Sequence, residues 1–187
     1  MGVLDIETLN EARKALLKIN PDIIMYGEGW TGGESTLPES ERGMKINAPR
    51  TPGIGMFSDD IRDAVKGHVF YMDELGFVNG AADRGEELKQ AVTCAKWAKS
   101  PMQSINYLSC HDNYTLWDRF IISNSHESEE MRIRMNKLAA AILFTAQGIP
   151  FFLHGEEFAR TKISEADGAP VENSYCSPLS VNAIDYD

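Results

Sequence analysis

Polar residues that could carry acid–base chemistry directly follow three apolar runs of this sequence. The runs and the residues behind them are 23–27 with Glu28, 104–110 with His111-Asp112-Asn113, and 150–155 with Glu156-Glu157. Positioned carboxyl and imidazole groups can transfer protons during a reaction, so each cluster is a candidate for general acid–base catalysis. Each also has a structural interpretation. A glutamate behind a strand is often a solvated loop residue, and Asp or Asn before a helix is a good N-cap.

Aromatic residues accompany these acidic groups along the chain, namely Trp30, Tyr114 and Trp117. Aromatic rings stack on the apolar faces of sugars, while carboxylates bind sugar hydroxyls. Retaining glycosidases use two carboxyl groups about 5–5.5 Å apart, one as nucleophile and one as general acid/base. The combination indicates glycoside hydrolysis, with Glu28 and Trp30 side by side. Core packing is the alternative role of Trp117.

The three apolar runs are typical of strands buried on both faces, as in parallel sheets. Hydrophobic periodicity and breakers predict helices at 4–17, 58–66, 86–99 and 127–147, a short strand at 77–80, a loop at 29–54 and a loop-like tail from 159. This order predicts an α/β fold of parallel βαβ units, either a doubly wound sheet or a (β/α)8 barrel. In a barrel, all three polar clusters would lie on the face where the strands end.

Length and charge narrow the function classes. The 187 residues fit one domain spanning 1–187, whereas a whole barrel needs about 250 residues. A net charge of −10 argues against binding nucleic acid or an anionic membrane, and no apolar run reaches the ~20 residues of a bilayer span. The N-terminus lacks the pattern of a secretory signal, and the compartment stays open. Cys94, Cys110 and Cys176 have no zinc spacing, so we expect unpaired thiols and no metal or cofactor.

Five stretches, in order along the chain, resemble motifs of pullulanase-type debranching enzymes of the α-amylase superfamily. They are residues 26–30 (Tyr-Gly-Glu-Gly-Trp), 52–63, 109–118 (with Cys-His-Asp-Asn), 147–158 and 173–185, the last ending in Asp185. A single Gly-Glu-Gly or His-Asp would be weak support. An ordered set over nearly the whole chain is strong.

The resemblance implies part of a (β/α)8 TIM barrel, roughly its second half, beginning just after the fourth strand. It implies cleavage of α-1,6-glucosidic bonds in pullulan or branched dextrins. Glu28 would be the general acid/base, and Asp112 would stabilise the oxocarbenium-like transition state. His111 would hydrogen-bond the sugar, and Asn113 and Trp30 would be further substrate contacts.

The nucleophile of the family lies in an Arg-Phe-Asp-Leu-Met-Gly motif, and this chain begins with Met1-Gly2-Val3-Leu4. The resemblance therefore implies that the nucleophile lies two residues before Met1. We expect the chain alone to be an incomplete enzyme. A half-barrel exposes strand edges, so we also expect self-association or pairing with the missing N-terminal half.

Three alternatives remain open at this point. The chain could serve another hydrolase or transglycosylase reaction of the α-amylase superfamily. It could be a non-catalytic glucan-binding or assembly fragment. It could also be an α/β domain of unrelated function.

Overall fold

The computed structural model describes residues 1–184 and 186, so Asp185 and Asp187 lie outside the described residues. Four short strands form one parallel sheet: β1 (Met25–Gly27), β2 (Ile54–Ser58), β3 (Ser104–Asn106) and β4 (Ile149–Pro150). Their order in the sheet is their order in the chain. An order without reversal is that of a barrel wall and differs from the reversed order of doubly wound sheets. The predicted parallel α/β fold is confirmed.

Within residues 1–184, six α-helices accompany the strands: α1 (Ile6–Leu17), α2 (Asp59–Lys66), α3 (Gly85–Thr93), α4 (Leu116–Ser123), α5 (Glu129–Thr145) and α6 (Leu179–Asn182). Side-chain caps explain where three of them begin. Asp5 accepts a hydrogen bond from the Thr8 amide at the start of α1, and Ser128 accepts one at the start of α5. Thr115 caps α4, so the alternative that Asp112 or Asn113 caps this helix is wrong.

Several predicted boundaries are wrong for identifiable reasons. β2 occupies residues at the junction between a predicted loop and a predicted helix. No strand was predicted there, because its glycines are typical of loops. An added Cβ on Gly55 would lie 2.6 Å from Ile105 Cδ1, so the close approach of β3 requires glycine there. Residues 77–80 are a turn, in which the Phe77 and Val78 amides bond to carbonyls at the end of α2. Helices α4 and α6 were not predicted.

The connection from β1 to β2 contains no α-helix among the described residues, as the predicted loop at 29–54 requires. It carries two short 3₁₀ helices, Glu39–Glu41 and Lys45–Arg50. The Lys45 amide donates to the Gly29 carbonyl at 2.8 Å, which brings the far end of this loop back beside β1. The loop therefore returns Lys45 to the end of the sheet at which Glu28 lies.

The main hydrophobic core lies among α2, α3, α4 and α5. Phe120, Leu116 and Leu108 are fully buried in it. Core burial of this kind fixes the helices that follow β2 and β3, and hence the strand ends. Among the helices that the structure describes, none combines the length and apolar character needed to cross a bilayer.

Replacing Phe120 by Ala should lower the free energy of unfolding by about 3–5 kcal/mol, because the ring is 0% exposed and its loss leaves a cavity. Urea denaturation measures the change. Phe144→Ala is the matched control, since that ring is 56% exposed, and it should cost about 1 kcal/mol or less. Equal losses for the two variants would contradict the assignment of the core.

Candidate active site

Glu28, His111 and Asp112 meet at the ends of β1 and β3, although β2 lies between those strands. His111 Nε2 lies 3.7 Å from Glu28 Oε1 and 3.4 Å from Asp112 Oδ2. One oxygen or nitrogen atom from each residue can be chosen so that all three lie within 4.8 Å of one another. The structure thus brings together the first two clusters singled out in the sequence.

These three residues open onto a cavity of about 390 Å³, which Trp30 and Asn113 also line. Asn113 adopts a left-handed backbone conformation with φ 62°, and its amide donates to Asn173 Oδ1 at 3.2 Å. This bond to the late part of the chain fixes the turn that follows Asp112. Tyr114 and Trp117 lie beside Asn113 in sequence but are not among the residues that line the cavity.

Four further polar residues line the cavity and were not predicted from the sequence to belong to a site: Lys45, Asp59, Arg62 and Tyr107. Asp59 accepts hydrogen bonds from Lys45 Nζ at 2.5 Å and from the Tyr107 hydroxyl at 3.0 Å. Arg62 donates to the same hydroxyl at 2.6 Å. Asp59 is therefore surrounded by donors. The signal for these residues was present, because Asp59 and Arg62 stand in or beside a motif that resembles the family.

Burial raises the pKa of the Tyr107 hydroxyl well above its usual range, so it stays protonated and can donate to Asp59. Burial opposes the charge of Arg62, but its hydrogen bonds to Asp63 and the nearby acidic groups outweigh this and raise its pKa. Arg62 and Asp63 form a two-point pair with N–O distances of 2.7 and 3.2 Å. Arg62 at the floor of the cavity therefore stays positively charged and paired with Asp63.

Lys45 connects this floor to Trp30. Its ammonium group lies 4.5 Å from the centre of the Trp30 ring, a cation–π distance, while it also pairs with Asp59. Trp30 is thereby held beside Glu28, as the sequence order suggested. The ring forms part of the apolar wall of the cavity.

The third predicted cluster does not reach the cavity. Glu156 is 4% exposed, and its Oε2 accepts a hydrogen bond from Ser109, next to Cys110 and His111. Its Oε1 has no partner among the described residues. Burial raises the pKa of Glu156 to about 7, and burial lowers the pKa of the neighbouring Lys66 to about 8. The structural interpretation of Glu156 therefore fits, because its hydrogen bond with Ser109 holds the segment that follows β3.

Glu156→Gln should stabilise the fold at alkaline pH. The folded pKa is raised above 4.5, so the protonated carboxyl is favoured and stability is lost as pH rises from 4.5 through about 7. One pKa unit is about 1.4 kcal/mol, and Lys66 loses an attraction in the variant. We therefore expect about 1–3 kcal/mol more stability than wild type at pH 8, and little difference at pH 4.5.

Urea unfolding at both pH values measures this effect. Glu165→Gln is the control, because that side chain is exposed and does not contribute to the raised pKa of Glu156, so it should change little at either pH. A Glu156→Gln gain of the same size at pH 4.5 and pH 8 would contradict the role assigned to ionisation.

In the described part of the chain, a cation could bind to the cluster of Glu28, His111 and Asp112. Two carboxylates and an imidazole within 4.8 Å have the donor chemistry of a divalent metal. Their side chains are 40–64% exposed, so they also have room to bind sugar hydroxyls. The geometry can therefore serve either ligand.

The chain is similar to known proteins along its whole length. No protein-family model matches the chain. The pullulanase of Bacillus subtilis is 38% identical over 194 residues, which cover 100% of this chain and 26% of that protein. The whole chain is similar to one segment of pullulanases.

Solved structures of pullulanases are similar to the chain over the same length. The enzyme of Paenibacillus barengoltzii, in complex with maltohexaose and α-cyclodextrin, superposes with a TM-score of 0.90 and 45% identity. Pullulanase of an Anoxybacillus species, complexed with maltotetraose, gives a TM-score of 0.92 and 45% identity. Each covers 100% of this chain, which spans 29% and 26% of those proteins. The chain thus spans about a quarter of the length of the pullulanases that it matches.

Proposed function

We propose that this chain supplies the general acid/base and the transition-state-stabilising carboxylate of a retaining α-1,6-glucan hydrolase of the pullulanase type. Its four strands would form part of a (β/α)8 catalytic barrel, roughly the second half. The observation that carries the proposal is the cluster of Glu28, His111 and Asp112 in one cavity beside Trp30. Catalytic groups of such barrels lie where the strands end.

Each residue has a chemical role in this proposal. Glu28 protonates the leaving glucosidic oxygen and then removes a proton from the attacking water. Asp112 accepts hydrogen bonds from sugar hydroxyls and stabilises the positive charge that develops at the anomeric carbon. His111 lies between the two carboxylates and can bond the sugar held there. Asn113 and Trp30 contact the substrate on either side.

The attacking carboxylate is proposed to come from another segment of the enzyme. Among the described residues that line the cavity, the further carboxylate is Asp59, and its oxygens are already bonded to Lys45 and Tyr107. A carboxylate engaged in this way is a poor nucleophile. The outer edges of β1 and β4 have no strand partner among the described residues, so they offer a place for that segment.

The chain alone should bind maltooligosaccharides. We expect Asp112→Asn to weaken maltotriose binding about tenfold, because a charged hydrogen-bond acceptor is lost. Isothermal titration calorimetry measures the affinity, with EDTA present so that no cation bridges ligand and protein. Asp22→Asn, at an exposed aspartate elsewhere, is the matched control and should bind like wild type. Equal affinities for all three proteins would contradict a substrate role for Asp112.

Hydrolysis should require the other segment of the enzyme that supplies the attacking carboxylate. The chain alone should release no maltotriose from pullulan, whereas mixing it with a polypeptide that carries the preceding barrel strands should produce turnover. Glu28→Gln in the mixture should reduce that turnover about 10²–10⁴-fold, the usual contribution of a general acid. Robust turnover by the chain alone would show that it holds its own nucleophile.

A further inference from the structure

The last of the five sequence stretches has no role in the chemistry above, although one of its residues is bonded to the active-site turn. We call residues 160–183 the strap. Asn173 of the strap accepts a hydrogen bond from the Asn113 amide at 3.2 Å through its side-chain Oδ1. Asn173 is not among the residues that line the cavity. It therefore contacts the backbone that carries Asp112 without lying where a ligand of the cavity would contact it.

The peptide group between Asp112 and Asn113 is hydrogen-bonded through both of its polar atoms. Its N–H is the donor to Asn173, and its carbonyl accepts a hydrogen bond from the Cys110 thiol at 3.8 Å. Burial raises the pKa of that thiol, so the thiol stays protonated and can donate. A peptide plane that is held by its donor and by its acceptor cannot rotate freely. The backbone orientation of Asp112 is thus fixed on two sides.

The conformation of Asn113 gives a reason why this peptide needs support. Its φ of 62° lies in the left-handed region, which is costly for residues with a Cβ and is tolerated best by asparagine and aspartate. A residue keeps such a conformation only where its surroundings enforce it. The hydrogen bond to Asn173 supplies this constraint at the amide of the strained residue itself.

The strap brings Asn173 to this position by folding back on itself. Residues 162–171 form a narrow hairpin with an antiparallel bridge inside it. The Val171 amide donates to the Lys162 carbonyl at 2.8 Å and closes the open end of the hairpin. Asn173 follows this closing bond by two residues, so its position depends on where Lys162 is held.

A buried polar network anchors the base of the hairpin. The Lys162 side chain is 5% exposed, and its Nζ donates to the Ser174 hydroxyl at 2.8 Å. That hydroxyl donates in turn to Asn182 Oδ1, also at 2.8 Å. The Lys162 amide donates to Asp118 of α4, which is fully buried. Because Ser174 is buried and directly follows Asn173, this network sets the position of the Asn173 side chain.

The bond between Asn173 and Asn113 serves the active-site turn more than it serves the strap. The strap has its own buried anchors at Lys162 and Ser174. By contrast, the Asp112 side chain is 49% exposed, so packing alone does not fix the direction of its carboxylate. A binding group of this kind depends on its backbone for its orientation.

We propose that Asn173 is a positioning residue: by holding the peptide between Asp112 and Asn113, it directs the Asp112 carboxylate toward the sugar that the cavity binds. This rests on the proposed function, because it assumes that Asp112 accepts a hydrogen bond from a sugar hydroxyl. Asn173 itself does not contact the sugar. It keeps the acceptor in place before the ligand arrives, so that less conformational freedom is lost on binding.

The test measures the maltotriose affinity of the whole chain by isothermal titration calorimetry, with EDTA and about 0.3 M NaCl present. Asn173→Ala should weaken binding about three- to tenfold, the equivalent of one lost hydrogen bond. Asn173→Asp keeps an acceptor oxygen and should bind within about twofold of wild type, since the salt screens its added charge. Asn20→Ala is the matched control. Asn20 Oδ1 also accepts an exposed backbone amide, that of Asp22 at 3.0 Å, but Asn20 does not line the cavity.

Hydrogen exchange of the Asn113 amide, followed by NMR, is a readout that a general structural role of the strap would leave unchanged. Exchange reports the local opening of a single hydrogen bond. In Asn173→Ala this amide should exchange at least about threefold faster than in wild type. In Asn173→Asp and Asn20→Ala it should exchange at the wild-type rate. An unchanged rate in Asn173→Ala would overturn the proposal.

Two further results would overturn the proposal while leaving the proposed function intact. One is Asn173→Ala binding maltotriose within about twofold of wild type while Asp112→Asn weakens binding. The other is an equal loss for Asn173→Ala and Asn173→Asp, which would show that the acceptor oxygen has no part in it. A wild-type chain that binds no maltotriose would overturn both proposals. All variants are compared well below their melting temperatures, so that the affinities are those of folded chains.

Discussion

Parallel pairing of β2 with β1 on one side and β3 on the other is the constraint on which the site depends. Met56 pairs with Gly27 in one direction and with Ser104 in the other, so one short strand sets both registers. Neighbouring strands lie about 4.8 Å apart, which separates β1 from β3 by about 10 Å. Glu28 and His111 extend from those two strand ends toward one another until 3.7 Å remains between their polar atoms. A shift of β2 by one residue would misalign them.

β2 and the residue that follows it supply two further features of the cavity. The Phe57 ring makes edge-on contacts with Tyr107 and Phe151, at centroid distances of 5.1 and 5.0 Å. Asp59, the first residue of α2, gathers the charges of Lys45 and Arg62. Because these cations are already paired with Asp59, the carboxylates of Glu28 and Asp112 are left to act on a ligand. Packing and electrostatics thus separate the acidic groups into one that supports the site and two that face it.

Sequence reasoning found the residues at strand ends better than it found the strands. Glu28 and His111-Asp112 follow apolar runs that are predicted to be strands. Both strands are present in the structure, although β1 and β3 have only three residues each. β2 was missed because Gly53 and Gly55 resemble loop residues, whereas the structure uses Gly55 to admit Ile105. Lys45 could not be placed, since nothing local shows that a 3₁₀ helix in a long loop returns to β1. Glu156 was grouped with the cavity because sequence does not reveal which side of a strand end is buried.

The long loop between β1 and β2 separates two tasks along one connection. Its return point is fixed by the bond from the Lys45 amide to the Gly29 carbonyl, and none of residues 31–44 is among those that line the cavity. Near its outer part, a Cβ added at Gly32 or Gly33 would meet nothing within 4 Å. Closing a somewhat longer loop costs little, because the entropy penalty grows only with the logarithm of length. The length of this loop can therefore change while the hydrogen bond between Lys45 and Gly29 keeps the cavity wall in place.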